Sequence, residues 1–502
     1  MNMIFCMMMG MLINAGVEKI TPSLKEMMNK SSFDEKIGVI VHLSEKPDFE
    51  KIKNLSPAEY IEFLKDFSQN SQKDIIDYLR KNFSDKINDL TPFWIFNGFY
   101  MKTTKDVIEK ISEREEIEYI TYDFKVKIED VSSENKILIP EWNIIAVRAD
   151  SCWMIGYTGA GIVIGHMGTG VDVSHPALAG KWISPYWYDA VNGQPQPYDD
   201  NGFGTHSIGV ILGGDGLGPF QDDIGVAPGA KFVACKCFNS SGVGNNSWIH
   251  ASFQKFAEWK QELYIVAVYV PFSTPDSLEW WQDMINLRNM GIMPICTWGG
   301  GSPGNYKIVL CATPDSLIPG FFIDSLNVKP NIAAPGYNIR SSIPGGGYTI
   351  ISSRPLAASH LIGAWAILTQ ADSTAPPCTL WYYLREYAIR PVPPDTWPNI
   401  YYGWGWLNIY QALIHLLGIN IKENIKIQYE NFRIVYKNGK PFIAFSVLDK
   451  KPFDLKIFDA SGRLVYGFER IFEKGNYILP LNIKSGIYFL LLNKSSKKFY
   501  IF

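Results

Sequence analysis

The sequence predicts an α/β protein: a doubly wound parallel sheet, preceded by a small α+β domain and followed by an all-β sandwich. Three observations carry this. Between about Ile139 and Leu417 short apolar strands alternate with helical patterns, the mark of parallel strands joined by crossover helices. Dense Lys, Glu and Asp extend to about Asp130 and resume beyond about Lys422, whereas the middle is rich in Gly, Pro, Trp and Tyr, which divides the chain in three. Beyond about Asn420, short strand-like runs are punctuated by turn signals at Ser461-Gly462, Lys474-Gly475-Asn476 and Ser485-Gly486. At 502 residues, 47% hydrophobic and only 19% charged, the chain can bury large cores and lies far from disordered compositions. A formal net charge of −3 leaves no basic footprint for nucleic acid.

Taken in order, the elements are as follows. Met1 to Ala15 is an apolar run ending in small residues, as in a secretory signal peptide over 1–16, although no Lys or Arg precedes it. No later apolar stretch reaches about 18 residues, so no membrane span is expected. Residues 33–130 read as the α+β domain. Gly38 to Leu43 is a strand; Ser56-Pro57-Ala58-Glu59 opens a helix with capping-box spacing and Pro at its first position. A strand over Phe93 to Lys102, a helix over Thr104 to Arg114 and a strand over Ile117 to Asp123 complete it. Residues 139–417 hold strands at Gly161 to Gly165, Tyr264 to Val270 and Gly291 to Thr297, with helices near Trp248 to Glu262 and Ser277 to Met290. Ligands of such sheets bind beyond the carboxyl ends of the strands. Residues 420–502 form the β-sandwich, with strands at Leu455 to Phe458 and Ile487 to Leu492. The seven cysteines are odd in number and show no C-x-x-C pair; Cys235 and Cys237 share a strand face, and all read as small buried hydrophobes.

Several long motifs stand in the middle segment. Gly161-Ile162-Val163-Ile164 runs into Gly168-Thr169-Gly170-Val171-Asp172 and His175-Pro176-Ala177-Leu178. Tyr198-Asp199-Asp200-Asn201-Gly202-Phe203-Gly204-Thr205-His206 follows, then Gly225-Val226-Ala227-Pro228-Gly229-Ala230. Lys329 to Gly336 leads through Pro344-Gly345-Gly346-Gly347-Tyr348 to Ala357-Ala358-Ser359-His360-Leu361-Ile362-Gly363. In this order they resemble the subtilisin-like serine proteases, the subtilases, and in particular their bacillopeptidase F-like branch, over about Pro140 to Leu417.

The resemblance implies an Asp, His, Ser triad in that chain order and a side-chain Asn at the oxyanion. The catalytic His of the family's G-T-H motif matches His206. The Asp of its D-T-G motif falls on Gly168, the nucleophile of G-T-S-M-A on Pro355, and the oxyanion Asn on Gly300. Pro355 has no hydroxyl with which to form an acyl-enzyme, Gly168 cannot hold an imidazole in its tautomer, and Gly300 offers no side-chain donor. In subtilisin, a member of that family, loss of the nucleophile costs on the order of a million-fold in turnover. The candidate replacements are Ser352, Ser353 and Ser359 for the nucleophile and Asp172 or Asp200 for the carboxylate. Pro355 instead suits a helix first turn, with Ser353 or Ser352 as its cap. His206 reads as a structural relic of the old cleft. His166, on the strand face of Gly168, could suggest a metal with His206 and His175, but no carboxylate or thiolate stands at ligand spacing.

Pro271-Phe272-Ser273-Thr274 replaces the family's Asn-Ser-Trp-Gly stretch, and Cys311 to Val328 is short, which argues against a peptide docking here as an added strand. Residues from Lys36 to Asp130 resemble the inhibitor-type propeptide of subtilases, which the enzyme cuts away itself; without a nucleophile it is expected to stay attached. Pro452 to Val465 and Ser485 to Phe489 look like the sorting domain of type IX secretion cargo. The expected protein is thus a secreted or surface-bound pseudoprotease with a binding or structural role. Its partners would be a peptide or protein ligand and its own propeptide-like domain; no cofactor is required, and calcium is implied by the resemblance alone. The rival is an active serine endopeptidase rewired around His206.

Overall fold

The computed structural model describes residues 19–418 apart from 53, 129–131, 134–140, 215–222, 276, 325–326 and 391–395, together with the strands between 433 and 501. The signal-peptide reading of residues 1–16 lies outside the described residues. The chain forms two compact units, Met1–Ile419 and Asn420–Phe502.

The first unit begins with α1 (Pro22–Lys30), β1 (Ile37–Leu43), a single turn α2 (Phe49–Ile52) and the long α3 (Pro57–Phe83). The capping box is formed: Ser56 Oγ accepts from the Glu59 N–H while Glu59 reaches back to the Ser56 N–H, with Pro57 at the first helical position. The expected strand over Phe93 to Lys102 is instead a hairpin, β2 (Ile87–Phe93) and β3 (Gly98–Thr103). The correction has a local cause. Asn97 adopts φ 55° in the turn that joins the two strands, and the chain turns back on itself there. After α4 (Lys105–Ser112), β4 (Ile117–Tyr122) completes an antiparallel sheet of order β2-β3-β1-β4. Alternation divides its faces: Val39, Val41, Phe99 and Ile120 pack with Leu79 and Ile111, while Ile40 and Phe93 join the larger core. Two short strands follow, β5 (Lys125–Lys127) and β6 (Ser132–Ser133).

The core starts with α5 (Trp142–Ala146) and α6 (Ala149–Met154), then β7 (Val163–Gly168), β8 (Trp182–Asp189), α7 (Phe203–Leu212), β9 (Lys231–Lys236), β10 (Val243–Asn245) and α8 (Asn246–Trp259). It continues with β11 (Ile265–Val270), α9 (Trp281–Asn289), β12 (Met293–Thr297), β13 (Leu310–Thr313), β14 (Phe321–Asp324), β15 (Asn327–Lys329), β16 (Ile332–Ala333) and the hairpin β17 (Ile339–Ile343), β18 (Gly347–Ser352). Helices α10 (Pro355–Ala371), α11 (Pro377–Glu386) and α12 (Ile409–Leu416) close it. Seven strands make one parallel sheet of order β16-β13-β12-β11-β7-β9-β8, the expected doubly wound architecture. Ile164, Phe232, Ala267 and Ile295 face Ile208, Leu361 and Trp365 of α7 and α10, whereas Val163, Val233, Val268 and Cys296 face Phe253 and Leu287 of α8 and α9. Burial on both faces explains why these strands read as continuous apolar runs. Cys235 and Cys237 lie in the second layer, and burial raises both thiols. Among the described residues no helix is long and apolar enough to cross a membrane.

Among the described residues the second unit holds seven strands in two antiparallel sheets. One contains Arg433–Lys437, Lys440–Val447 and Gly475–Pro480; the other contains Lys451–Asp459, Leu464–Phe472, Gly486–Leu492 and Ser495–Ile501.

Candidate functional site

The central strand β7 ends at Gly168, where the sheet changes winding direction and where a doubly wound fold presents its ligand site. Backbone touches backbone here. A Cβ on Gly204 would lie 2.0 Å from the Gly170 oxygen, and one on Gly170, at φ +119°, 1.9 Å from the Tyr198 oxygen. Only glycine permits that approach, which sets the first turn of α7 against the loop after β7. Asp199 fastens the same junction. Its Oδ1 accepts from Thr169 Oγ1 (2.8 Å) and the Gly202 N–H (2.9 Å), and its Oδ2 from the Thr205 N–H (2.8 Å) and Thr205 Oγ1 (2.7 Å).

His206 sits in this first turn, fully buried. Its Nε2 lies 3.1 Å from the Ile339 oxygen and 3.3 Å from the Thr349 oxygen, so Nε2 carries the proton and donates to them. Nδ1 is left as the basic nitrogen, buried without a hydrogen-bond partner. Burial holds the imidazole neutral and lowers it to about 4, against smaller opposing effects from the two carbonyls. In a serine protease the roles are reversed: Nδ1–H is held by the carboxylate and Nε2 takes the nucleophile's proton. At Gly168 no carboxylate stands. A Cβ there would meet His166 Cε1 at 3.0 Å, and His166 Nδ1 is a second buried nitrogen without a partner. His166 Nε2 is 2.9 Å from Ser207 Oγ, its ring stacks on Tyr269 at 5.4 Å, and burial lowers it to about 3.

Pro355 occupies the first position of α10, as its fixed φ suits. The expected serine cap is not formed. The residue before the helix is Arg354 in αR conformation, which carries the chain into the helix with no side-chain cap. Ser352 Oγ accepts from the Asn338 N–H at 2.8 Å, and Ser353 contributes its carbonyl to the Leu356 N–H at 3.2 Å, while its buried hydroxyl has no partner. Ser359 Oγ faces the Pro355 oxygen at 3.5 Å. None of the three hydroxyls is hydrogen-bonded to His206. Gly300, in the exposed turn after β12 at φ +82°, presents no side-chain donor, and a Cβ there would lie 3.0 Å from Ile318.

The carboxylate stand-ins are engaged elsewhere. Asp172 accepts from Ser174 N–H and Oγ and from the Gly345 N–H at 2.8 Å; burial alone would raise it, but these donors hold it below the usual range. Asp200 pairs at 2.6 Å with Lys236, whose buried ammonium also donates to the Thr169 and Phe238 carbonyls. His166, His175 and His206 do not converge, since His175 Nε2 donates to the Gly347 oxygen at 2.8 Å. The described His, Cys, Asp and Glu side chains that do meet at one point are His42, His250 and Glu279, none of which belongs to the stretches around Gly168, His206, Gly300 or Pro355. The signal for them was faint: a histidine on the core face of a strand and a buried acid before a helix. A calcium ion of the kind the resemblance implies would need backbone carbonyls, for no acidic cluster gathers among the described residues.

One expectation is overturned at the groove. Strand addition does occur. β5 pairs antiparallel with β10, Val126 opposite Gly244, and the Ile128 N–H donates to the Gly242 oxygen at 2.9 Å. Ile128 also bridges Phe272, so Pro271 and Phe272 accommodate the strand end rather than blocking it. Val126 and Ile128 are 1% and 4% exposed. β6 then pairs with β18, Ser132 opposite Ser352, three residues before Pro355. The chain's own residues thus pair on both sides of the corner formed by Gly168, His206 and Pro355. Asp123, just upstream, caps α8 by accepting from the Ser247 N–H at 2.8 Å and Ser247 Oγ at 3.0 Å.

Comparison with known proteins finds subtilases. A sequence model of the subtilase family matches residues 159–273. Bacillopeptidase F of Bacillus subtilis is 29% identical over 79% of this chain and 32% of its own length. Subtilisin DY of Bacillus licheniformis is 26% identical over 54% of this chain and 97% of its own. Subtilisin-like protease 9 of Arthroderma otae is 27% identical over 34% of this chain and 42% of its own. The chain therefore spans about a third of the length of the bacillopeptidase F it matches.

Proposed function

We propose that this chain, a subtilisin-like serine peptidase homologue of the bacillopeptidase F-like branch, does not hydrolyse peptides and acts by binding. The observation that carries the reading is the state of His206. Its Nε2–H is committed to two backbone carbonyls, its Nδ1 faces no carboxylate, and the nucleophile position is a proline. Among the described residues no general base, hydroxyl and oxyanion donor are assembled at one point. What survives is the framework of a peptide groove, with the added-strand edge on β10. A groove of this kind recognises extended peptides by main-chain pairing and by pockets for alternate side chains.

In the intact chain residues 125–128 fill that edge, so a ligand in trans must compete with them. The N-terminal unit up to Asp130 is read as a propeptide-like domain that remains covalently attached, because the chain cannot cut it. Export to the cell exterior is supported by the apolar run at residues 1–15 and by the likeness of residues 420–502 to a type IX sorting domain.

The test is intact-mass spectrometry of the full-length chain after incubation with a fluorophosphonate. The expected result is no adduct and no cut between Asp130 and Trp142. An adduct mapped to Ser353 or another serine would overturn the reading and establish a rewired endopeptidase.

A further inference from the structure

We propose that His42, His250, Glu279 and Asn246 form a divalent transition-metal site, zinc by its donor chemistry, that fastens the N-terminal α+β sheet to the parallel-sheet core. The ligands come from separate elements. His42 lies on the inner face of β1, His250 and Asn246 in α8, and Glu279 just ahead of α9. Nε2 of His42 and Nε2 of His250 are 3.0 and 3.1 Å from Glu279 Oε1, and the three donor atoms lie within 4.8 Å of one another. Ligand atoms of a tetrahedral zinc with bonds of about 2.0 to 2.1 Å stand roughly 3.3 Å apart, so a small adjustment opens the centre of this triangle to an ion.

The surroundings of the triangle point the same way. Asp283 accepts from His250 Nδ1, its two oxygens at 3.0 and 3.1 Å. That carboxylate–histidine contact fixes the tautomer in which Nε2 offers its lone pair to a metal. Asn246 is fully buried, with Nδ2 2.9 Å from Glu279 Oε1 and Oδ1 without any partner. Turning the amide end for end points Oδ1 at the same centre and supplies a fourth ligand, with Nδ2 moving to the position Oδ1 held. The walls are apolar: the His42 ring stacks on Tyr119 at 4.2 Å, and Phe96 lies 4.6 Å from His42 and 4.3 Å from His250. His42, His250 and Glu279 are 3%, 0% and 3% exposed. Two carboxylates, Glu279 and Asp283, buried beside these two imidazoles in so dry a place require balancing positive charge, and one divalent ion supplies it.

The test uses the untagged full-length chain, stripped with a chelator, exchanged, loaded with zinc chloride and desalted, with metal content read by elemental mass spectrometry. One zinc per chain is expected. Against a competing chelator, His42→Gln and Glu279→Gln should weaken binding at least about 100-fold and Asp283→Asn about 10- to 100-fold. His415→Gln should not change it. Cobalt(II) loading of the unaltered chain gives a readout that no variant's folding can confuse: intense visible bands of four-coordinate cobalt are expected. Absence of stoichiometric zinc, weak six-coordinate cobalt bands, or zinc retained in a folded His42→Gln would overturn the site and leave the cluster held by a proton.

Discussion

Replacing Val126 and Ile128 together by Asp should release the strand that fills the groove. Both side chains are almost completely buried, at 1% and 4% exposure. Full burial of a Val or Ile stabilises by about 1.5 to 3 kcal/mol, so the pair contributes roughly 3 to 6 kcal/mol, an upper figure because the released segment keeps some contacts. At about 1.4 kcal/mol per tenfold, the open population rises by about 10² to 10⁴. The change stays local, since Asp123 still caps α8 and the Trp94 N–H still donates to Gln254 at 2.9 Å. Two assays follow. Hydrogen exchange of the amides at Val243 to Asn245, paired with β5, should accelerate by at least about 100-fold. A labelled peptide of residues 122–130 should bind the variant in fluorescence anisotropy and not bind the parent chain. Unchanged protection in the variant, or equal peptide binding by both proteins, would refute the view that the groove is held shut from within.

Pro355→Ser alone should remain unlabelled by a fluorophosphonate, because a new hydroxyl finds His206 with Nε2–H donated to carbonyls and Nδ1 unsupported. Labelling of that single variant would show that the missing carboxylate at Gly168 does not matter. Acid should destabilise the core progressively from about pH 6.5 downward, before most carboxylates titrate. Burial holds His166 at about 3 and His206 and His360 at about 4. A histidine depressed in the folded state stabilises fully above its ordinary value near 6.5 and loses that contribution as pH falls toward its folded value, at about 1.4 kcal/mol per pH unit. Three together lose on the order of 10 kcal/mol by pH 4, as much as a typical domain possesses. His250 has the opposite sign. Burial disfavours its charge, but Asp283 and Glu279 outweigh this and raise it to about 9, so without a metal its contribution is present below 6.5 and lost as pH rises through 9. Denaturant midpoints flat from pH 6.5 to 4.5 would contradict the assignment.

The parallel sheet was legible because its strands are buried on both faces and its crossover helices carry ordinary periodicity, as with Tyr264 to Val270 against the observed Ile265–Val270. Ser56 to Glu59 was legible because a capping box is a local device. The hairpin at Asn97 was not, since a positive φ at a non-glycine residue leaves little trace in composition. Gly168, His206, Gly300 and Pro355 were found by motif order, but order says nothing of which imidazole nitrogen holds the proton. That depends on the carbonyls of Ile339 and Thr349, more than a hundred residues away. The cluster of His42, His250, Glu279 and Asp283 depends on how the first sheet meets α8 and α9. Pairing across 237 positions, as between His42 and Glu279, leaves no spacing to read.

The retained histidine can be tested for what it does now. If His206 serves only to tie the first turn of α7 to the β17–β18 hairpin, then a side chain that places one N–H where Nε2–H stands should replace it. Glutamine does this: its amide nitrogen can donate to the Ile339 and Thr349 oxygens, and nothing is lost at Nδ1, which has no partner. His206→Gln should therefore stay within about 1 kcal/mol of the parent at pH 7.5, the net worth of one hydrogen bond. Because glutamine does not titrate, the same variant should outlast the parent in acid, its stability falling less steeply by about 1.4 kcal/mol per unit between pH 6.5 and 4. A histidine still working as a base would show neither effect: its replacement would leave the acid slope in place and abolish a reaction. Equal acid slopes in variant and parent would mean that His206 is not the buried neutral group the hairpin makes it, and the case for a relic would fall with it.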